Sequence, residues 1–331
     1  MNKRRIVLYC ISLLLLTGGI VLCVIRWKAW FGNPTEPVWE RNTIPFHFHT
    51  FAQDSVPGFA RADRSWFDLY EPDELVFLLL GDVHNGVDSM QWEDIYKRHP
   101  QVDFYAQLGD FIERGYFYYA QQMVSELEGT PFENLPIVTT PGNHEYRKGV
   151  VRRLPKLWYE LFEQPANGPQ RFQGTTYYVD FARLRLIVID TNGLQRLSDF
   201  TRVNTWVRQT IQNADGRFTV VMMHHPVYSS AKGRQNLLIR CAFARVLREA
   251  DVVFSGHDHN YARHLPFIGT NSARKFYKTK NHLMAESVCS GKQLYEVVTV
   301  KQDTLTVQTY LMESGELFDE VHVTRPPVVN R

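Results

Sequence analysis

The sequence predicts an α/β fold that contains two packed β-sheets, and three observations support this prediction. Short apolar runs predict strands that are buried on both faces, at Leu75–Leu80, Val102–Leu108, Pro136–Thr140, Arg185–Ile189, Phe218–Met223 and Val252–Ser255. Helical patterns alternate with these runs at Ser89–Arg98, Tyr116–Leu127 and Leu237–Arg248. The end of the chain instead predicts an antiparallel meander, and therefore a second sheet packed on the first, through Tyr295–Val300, Thr304–Tyr310 and Leu317–Val323.

Composition excludes several classes of protein. The chain has 331 residues, of which 44% are hydrophobic, so it can bury a sizeable core. A net charge of +2 gives no electrostatic signal for nucleic-acid binding. Four cysteines without a CxxC pair predict neither a disulfide framework nor a structural zinc knuckle. The sequence does not define the oligomeric state.

Residues 1–30 predict a single transmembrane anchor. The stretch Ile6–Ile25 is uncharged, and about 20 helical residues at ~1.5 Å each cross a hydrocarbon core of ~30 Å. A cleaved signal peptide is the alternative, with Thr17–Gly19 as the cleavage site, but cleavage there would leave the apolar segment Ile20–Ile25 at the new N-terminus. Basic residues before the span slightly outnumber those just after it, which places the main body on the non-cytoplasmic side of the membrane.

The remaining chain divides into three parts. Residues 31–71 are rich in proline and aromatic residues and predict a linker, or an extension that lies on the catalytic domain. Residues 72–325 form the predicted catalytic domain, and residues 326–331 form a short tail. His47 and His49 in the linker are either a further metal site or residues without a metal role.

Five short segments carry metal-ligating side chains, and each follows a predicted strand. They are Gly81–His84, Gly109–Asp110, Gly142–Glu145, His224–Pro226 and Gly256–His259. Any one of them alone is explained by an ordinary polar turn, but five in succession supply enough Asp, Asn and His groups to hold two divalent metals. Two adjacent metals form a clamp for in-line attack on phosphorus.

These five motifs resemble those of the calcineurin-like metallophosphoesterases, which include the purple acid phosphatases. The resemblance covers roughly Leu75 to Tyr261 and implies a four-layer αββα sandwich, in which helices flank two central mixed β-sheets. It also implies three groups of ligands: Asp82, His84 and His259 for the first metal, Asn143, His224 and His257 for the second, and Asp110 as the bridge. The metals are Mn, Fe or Zn, since His and carboxylate ligands suit all three.

The same resemblance implies catalytic roles. A hydroxide that bridges the metals attacks the phosphate ester in line, and His144 is the candidate general acid for the leaving group. In a match to the Ser/Thr protein phosphatase branch, Glu113 orients His144 and Arg114 contacts the phosphate; a solvated surface pair is the alternative. Purple enzymes carry a tyrosine ligand where Glu113 stands, so the resemblance implies a non-purple site.

The sequence therefore predicts a membrane-anchored, dinuclear-metal phosphoesterase. Its partners are a phosphate-ester substrate and, through the N-terminal helix, membrane lipid. A catalytically silent binding or scaffold protein with the same fold is the alternative. The substrate stays open among monoesters, diesters, nucleotides, lipids and phosphoproteins. Specificity is expected from the loops Tyr116–Gln122, Tyr146–Arg153 and Tyr228–Arg234, because loops carry recognition more often than core strands do.

Overall fold

The computed structural model describes residues 48, 50, 74–147, 152–279 and 285–325. The predicted anchor (1–30), most of the linker with His47 and His49, and the tail (326–331) lie outside these residues. Within the described part of the chain, no helix is long and apolar enough to span a lipid bilayer. Two linker residues are described, and both are buried on the domain: Phe48 stacks on Phe162 with ring centroids 4.8 Å apart, and Thr50 donates a hydrogen bond to the Glu163 carbonyl.

Strands and helices alternate along most of the domain. The α-helices are α1 (Ser89–Arg98), α2 (Phe117–Leu127), α3 (Lys156–Leu161), α4 (Leu197–Gln212) and α5 (Leu237–Phe243). The strands are β1 (Glu74–Leu80), β2 (Phe104–Gln107), β3 (Ile137–Thr139), β4 (Tyr177–Asp180), β5 (Leu184–Ile189), β6 (Phe218–Met223), β7 (Val252–Ser255), β8 (Tyr261–His264), β9 (Phe267–Gly269), β10 (Ser287–Cys289), β11 (Leu294–Lys301), β12 (Thr304–Leu311) and β13 (Leu317–Thr324).

The strands form two mixed sheets. The first has the order β13-β12-β11-β1-β2-β3, and the second has the order β10-β8-β9-β7-β6-β5-β4. Strands β1, β2 and β3 run parallel, as do β5, β6 and β7. The predicted meander forms the antiparallel half of the first sheet, where β11 pairs with β1.

Alternating side chains of each sheet enter separate cores. On β1, Phe77 and Leu79 pack between the two sheets, whereas Leu78 and Leu80 pack toward the helical side with Trp92 of α1. The second sheet has its own helical layer, formed chiefly by α4 and α5. Because both faces of each central strand are covered, most residues of these strands are apolar. This arrangement of two mixed sheets with helices is consistent with the predicted αββα sandwich.

The predicted helix Leu237–Arg248 is interrupted. Helix α5 ends at Phe243, and a separate 3₁₀ turn follows at Val246–Glu249. Helix α4, the longest of the described helices, was not singled out from the sequence. It buries Val203, Val207 and Ile211 along one face against the second sheet.

One carboxyl group is buried inside the domain. Glu296 of β11 is fully buried, and burial raises its pKa to about 8, although the Thr270 hydroxyl lowers it a little. Neither carboxyl oxygen makes a hydrogen bond of normal geometry to another described residue. An acid whose pKa is raised on folding contributes its full stability below the unfolded value, near 4.5, and that contribution is lost as the pH rises through about 8.

Replacement of Glu296 by Gln is therefore expected to flatten the pH dependence of stability. Gln resembles the neutral acid, so the loss in Tm between pH 5 and pH 8 should become smaller by about 5 °C. Thermal unfolding followed by circular dichroism at both pH values measures this change. The exposed Glu316→Gln variant is the control, and parallel pH profiles of the Glu296 variant and the wild type would contradict the expectation.

Candidate metal centre

The five predicted ligand segments follow β1, β2, β3, β6 and β7. In each sheet these strands run parallel, so their carboxyl ends lie along one edge. Packing of the two sheets brings these edges together. The main-chain N–H of His257 donates to Oδ2 of Asp82 at 2.7 Å, and Nδ1–H of His224 donates to the carbonyl of Leu108 at 2.9 Å, so that residues after strands of one sheet contact residues after strands of the other.

The first half of the centre contains Asp82, His84, Asp110 and His259, whose ligand atoms lie within 4.8 Å of one another. Nε2 of His84 is 3.3 Å from Nε2 of His259 and 3.5 Å from Oδ2 of Asp110. Nε2 of His259 is also 3.5 Å from Oδ1 of Asp82. The three ligands predicted for the first metal and the predicted bridging carboxylate therefore face one space.

The second half contains Asp110, His224 and His257, with Asn143 beside them. Nε2 of His224 is 3.4 Å from Oδ2 of Asp110, 3.2 Å from Oδ1 of Asn143 and 3.1 Å from Nδ1 of His257. Oδ2 of Asp110 thus lies between His84 and His224, one from each half. This is the position that a bridging carboxylate requires.

Main-chain carbonyls orient two of the histidines. Nδ1–H of His224 donates to the carbonyl of Leu108 at 2.9 Å, and Nδ1–H of His259 donates to that of Lys275 at 3.0 Å. Each bond fixes the ring and leaves the Nε2 lone pair directed into the centre. For His84, the carboxylate of Glu113 lies 3.2 Å from Nδ1, on the side of the ring away from Nε2.

These distances fit bound cations. Ligands held ~2.0–2.2 Å from a common first-row metal lie about 3.0–3.5 Å apart, as the ligand atoms do here. The ring nitrogens of His84 and His259 lie 3.3 Å apart and those of His224 and His257 lie 3.1 Å apart, so one cation could accept a lone pair from both members of each pair. The donor set of imidazole, carboxylate and amide groups suits Mn, Fe or Zn.

The buried charges favour a cation in the same place. Burial alone would lower the pKa of His224, but the carboxylates of Asp110 and Asp82 raise it to about 9. Burial lowers the pKa of His84 to about 3 and that of His259 to about 4, so both are neutral and able to bind metal at pH 7. Burial would raise the pKa of Asp110, yet the histidines hold it well below its usual range.

The ligand loops have unusual backbone conformations. Five ligand residues have positive φ angles, between 49° and 69°: Asp82, His84, Asp110, His257 and His259. Two glycines allow the loops to approach closely. A Cβ at Gly142 would lie 2.1 Å from the Asp110 nitrogen, and one at Gly256 would lie 2.4 Å from Oδ2 of Asp82. Any larger residue at these two positions would displace a ligand carboxylate.

Glu145, to which the sequence analysis gave no role, joins two ligand loops. Its Oε2 accepts hydrogen bonds from the main-chain N–H groups of Asp110 at 2.8 Å and Gly142 at 2.6 Å. Its Oε1 accepts from Phe111 at 2.8 Å and Ile112 at 3.1 Å. The carboxylate is buried and holds the bridging residue in place through the backbone.

Replacement of Glu145 by Gln is expected to lower the free energy of unfolding by about 2–4 kcal/mol, because an amide NH₂ would replace an oxygen that accepts two hydrogen bonds. Metal content should fall in parallel. Thermal unfolding and elemental analysis of the purified protein measure the two effects. Glu133, whose carboxylate accepts one exposed N–H from Gly129 at 2.7 Å, provides the matched Gln control. Wild-type stability and metal content in the Glu145 variant would refute this role.

The candidate acid lies beside the first half of the centre. The main-chain N–H of His144 donates to Oδ1 of Asp110 at 2.7 Å, and its Nδ1–H donates to the main-chain carbonyl of Glu113 at 2.5 Å. The Glu113 carboxylate is 4.0 Å from Nδ1 of His144, farther than it is from His84. The main-chain carbonyl of Glu113 therefore orients His144, whereas the carboxylate of Glu113 lies next to Nδ1 of His84. Arg114 is exposed.

Additional polar residues line the second half of the centre. Nδ1 of His225 is 2.8 Å from the Thr191 hydroxyl, and the His225 ring lies 4.4 Å from that of His257. Nη2 of Arg234 is 2.8 Å from Nε2 of His257. Burial lowers the pKa of His225, and the charges of His224, Arg152 and Arg234 lower it further. Arg152 and Arg234 belong to two of the loops predicted to determine specificity, Tyr146–Arg153 and Tyr228–Arg234.

The comparison with known families agrees with this geometry. A family profile described as calcineurin-like phosphoesterase matches residues 75–261, more than half of the chain. The chain belongs to the calcineurin-like phosphoesterases. No curated protein matches the sequence significantly.

Solved structures with the same fold are distant in sequence. GAP50, described as the anchor in the inner membrane complex of Plasmodium, has a TM-score of 0.59 and 14% identity over 77% of this chain and 90% of its own. The purple acid phosphatase PPD1 of yellow lupin also has a TM-score of 0.59 and 14% identity, over 77% of this chain but only 55% of the lupin chain. PhoD has a TM-score of 0.54 and 11% identity, over 76% of this chain and 68% of its own.

Proposed function

We propose that this calcineurin-like phosphoesterase is an active, metal-dependent phosphoric ester hydrolase. The observation that carries the proposal is the position of Asp110, whose Oδ2 lies 3.5 Å from Nε2 of His84 and 3.4 Å from Nε2 of His224. One carboxylate oxygen can thus serve both halves of the centre. The first ion would be held by Asp82, His84 and His259, and the second by Asn143, His224 and His257.

The side chains have separate roles in this proposal. When bound, the two ions would supply Lewis acidity to the phosphate oxygens and to water. Asp110 and the other ligands would hold the positive charge of these ions next to the phosphate, where negative charge develops. His144, with its Nδ1–H fixed by the Glu113 carbonyl, presents Nε2 to the leaving alkoxide as the proton donor.

A phosphate-release screen tests the proposal. Purified protein reconstituted with Mn, Fe or Zn is assayed with a phosphomonoester, a phosphodiester and a pyrophosphate, and metal content is measured on the same sample. Turnover that rises with metal content toward two ions per chain supports hydrolysis. Two bound ions per chain without turnover of any of the three substrates would refute the proposed hydrolase function.

The apolar stretch at residues 6–25 motivates a second part of the proposal. It anchors the enzyme in a membrane, and the catalytic domain lies on the non-cytoplasmic side. The full chain should stay with membranes during an alkaline carbonate wash, whereas a variant that lacks residues 1–30 should be released. Release of the full chain would refute the anchor, and protease digestion of sealed vesicles of known orientation tests the side.

A scaffold without catalytic activity is the alternative function. The likeness to GAP50 extends over 90% of that chain, and GAP50 is described as an anchor. Fewer than one ion per chain after reconstitution, combined with no phosphate release, would favour this alternative. The convergence of Asp110, His144 and the histidine ligands supports the enzyme instead.

A further inference from the structure

Arg234 lies on a loop that is fixed against a second loop at the rim of the metal centre. The main-chain N–H of Lys232 donates to the carbonyl of Lys278 at 2.9 Å, and Ala231 and Thr279 form an antiparallel bridge. The second loop also reaches the centre, because its Lys275 carbonyl accepts the hydrogen bond from His259. The position of Arg234 relative to the ligands is thus held from two sides.

The loop of Arg234 is also tied to the ligand histidines through Asp258. This buried carboxylate lies between His257 and His259 in the chain and accepts hydrogen bonds from the main-chain N–H groups of Ser230 at 2.6 Å and Ala231 at 3.1 Å. Asp258 is therefore a positioning residue. It couples the segment that leads to Arg234 to the ligand-bearing turn.

The guanidinium of Arg234 is preorganised. It stacks on the ring of Tyr277 at 4.3 Å, and its Nη2 lies 2.8 Å from Nε2 and 3.3 Å from Nδ1 of His257. Its Nε is buried and has no hydrogen-bond partner among the described residues. Stacking fixes the plane of the guanidinium, and Nη2 is the donor that faces the metal centre.

The contact between Arg234 and His257 cannot persist in a loaded site. A neutral imidazole has one lone pair and one N–H. Nδ1 of His257 faces Nε2 of His224 at 3.1 Å. Use of the Nδ1 lone pair as a ligand leaves the proton on Nε2, which then cannot accept from Arg234. The guanidinium needs another acceptor at the same place, and a phosphate oxygen is the acceptor that its planar donors match best.

A second arginine approaches the same half of the centre from another loop. Nη1 of Arg152 donates to Oδ1 of Asn192 at 3.2 Å, and Asn192 follows Thr191, which contacts His225 at 2.8 Å. Arg152 is exposed, and its positive charge is near enough to the buried His225 to lower the pKa of that imidazole. Arg152 and Arg234 together add two positive charges around His225 and His257, beyond those of bound ions.

We propose that Arg234, assisted by Arg152, binds the non-bridging oxygens of a terminal phosphate, and that the enzyme therefore selects phosphomonoesters over phosphodiesters. This inference rests on the proposed hydrolase function. A monoester at neutral pH is a dianion with three free oxygens, whereas a diester is a monoanion that presents a substituted oxygen in one of these positions. Two guanidinium groups at the rim stabilise the second negative charge of the monoester. The diester lacks this charge, so the same groups stabilise its binding much less.

The test compares p-nitrophenyl phosphate with bis(p-nitrophenyl) phosphate on the metal-reconstituted protein. In the Arg234→Gln variant, kcat/KM for the monoester is expected to fall about 10- to 100-fold, and kcat/KM for the diester by less than about 3-fold. Arg234→Lys keeps the positive charge but loses the planar pair of N–H donors. Its kcat/KM for the monoester should therefore lie between the values of the wild type and the Gln variant. Binding of inorganic phosphate, measured by calorimetry, should weaken about 10-fold in the Gln variant while metal content stays unchanged.

Further variants make the outcomes decisive. Arg152→Gln, which changes an exposed residue remote in sequence from Arg234, should change the monoester-to-diester ratio in the same direction. Arg208, which lies on α4 and pairs with Glu249 at 3.9 Å, is the control arginine. Equal losses on both esters, loss of metal, or unchanged phosphate affinity in the Arg234 variant would overturn the inference. Phosphate binding that depends on Arg234 in a protein that cleaves neither ester would instead refute only the hydrolase function.

Discussion

An Asp110→Asn variant is expected to lose at least about 10³-fold in kcat on p-nitrophenyl phosphate and to retain fewer than two ions per chain. Asn keeps the oxygen that accepts the His144 main-chain N–H at 2.7 Å. It then places a neutral NH₂ group between His84 and His224, where the structure has a charged oxygen 3.5 and 3.4 Å away. The shared negative charge is lost while the hydrogen bond that shapes the loop is retained.

The same isosteric exchange at a surface aspartate separates this effect from a general loss of charge. Asp94 on α1 is 55% exposed and has no contact with the centre, so Asp94→Asn should keep wild-type turnover and metal content. Circular dichroism should report a folded domain for both variants. Undiminished turnover in the Asp110 variant would remove the basis for a hydrolase that uses two ions.

A His144→Ala variant is expected to have the second-largest effect, and the effect should depend on the leaving group. For an alkyl phosphate, whose alkoxide needs a proton as it departs, kcat should fall about 10²- to 10⁴-fold. For p-nitrophenyl phosphate the loss should be much smaller, because its phenolate departs without full protonation. A plot of log kcat against leaving-group pKa should therefore become steeper in the variant.

The control for His144 is a histidine that is remote from the leaving group. His322 on β13 contacts Thr306 at 3.1 Å and Glu320 at 3.3 Å on the solvent side of the first sheet, and its Ala variant should reproduce the wild-type plot. Equal loss on good and poor leaving groups in the His144 variant would indicate that this residue only shapes the Asp110 loop and does not supply a proton.

The sequence predicted the location of the centre because the rule that places it is simple. Parallel strands end at one edge of a sheet, so polar residues that follow β1, β2 and β3 must be neighbours. A short run in which most residues are apolar marks each of these strands, since both faces are covered. The short strands β8, β9 and β10 have three or four residues each and contain no comparable apolar run. They were not predicted from the sequence, because their extended conformation depends on pairing with neighbouring strands in the folded sheet.

Helix α4 illustrates a different limit. Its interior includes Thr201, Asn204 and Thr205, residues of low intrinsic helix propensity. The helix is stabilised by the apolar face that it packs on the second sheet. Propensity therefore gives a weak signal there, and the tertiary contact that decides the outcome involves residues remote in the chain.

The roles of Glu145 and Arg234 depend on contacts that no sequence pattern contains. Glu145 accepts only main-chain N–H groups, whose direction is set by the folded loops. Arg234 gains its orientation from Tyr277, which lies 43 positions later on a loop bridged to its own. Glu113 shows the same dependence on folded geometry, because its backbone, and not its carboxylate, is the nearer partner of His144.

The left-handed conformations of the ligand loops set folding stability against the placement of the ligands. Asp82, His84, Asp110, His257 and His259 each occupy a backbone region that costs about 1–2 kcal/mol for a residue other than glycine. Glycine at any one of these positions would remove that strain and would also remove a side chain that faces the centre. A variant with a more relaxed loop is therefore expected to have fewer groups with which to hold a cation.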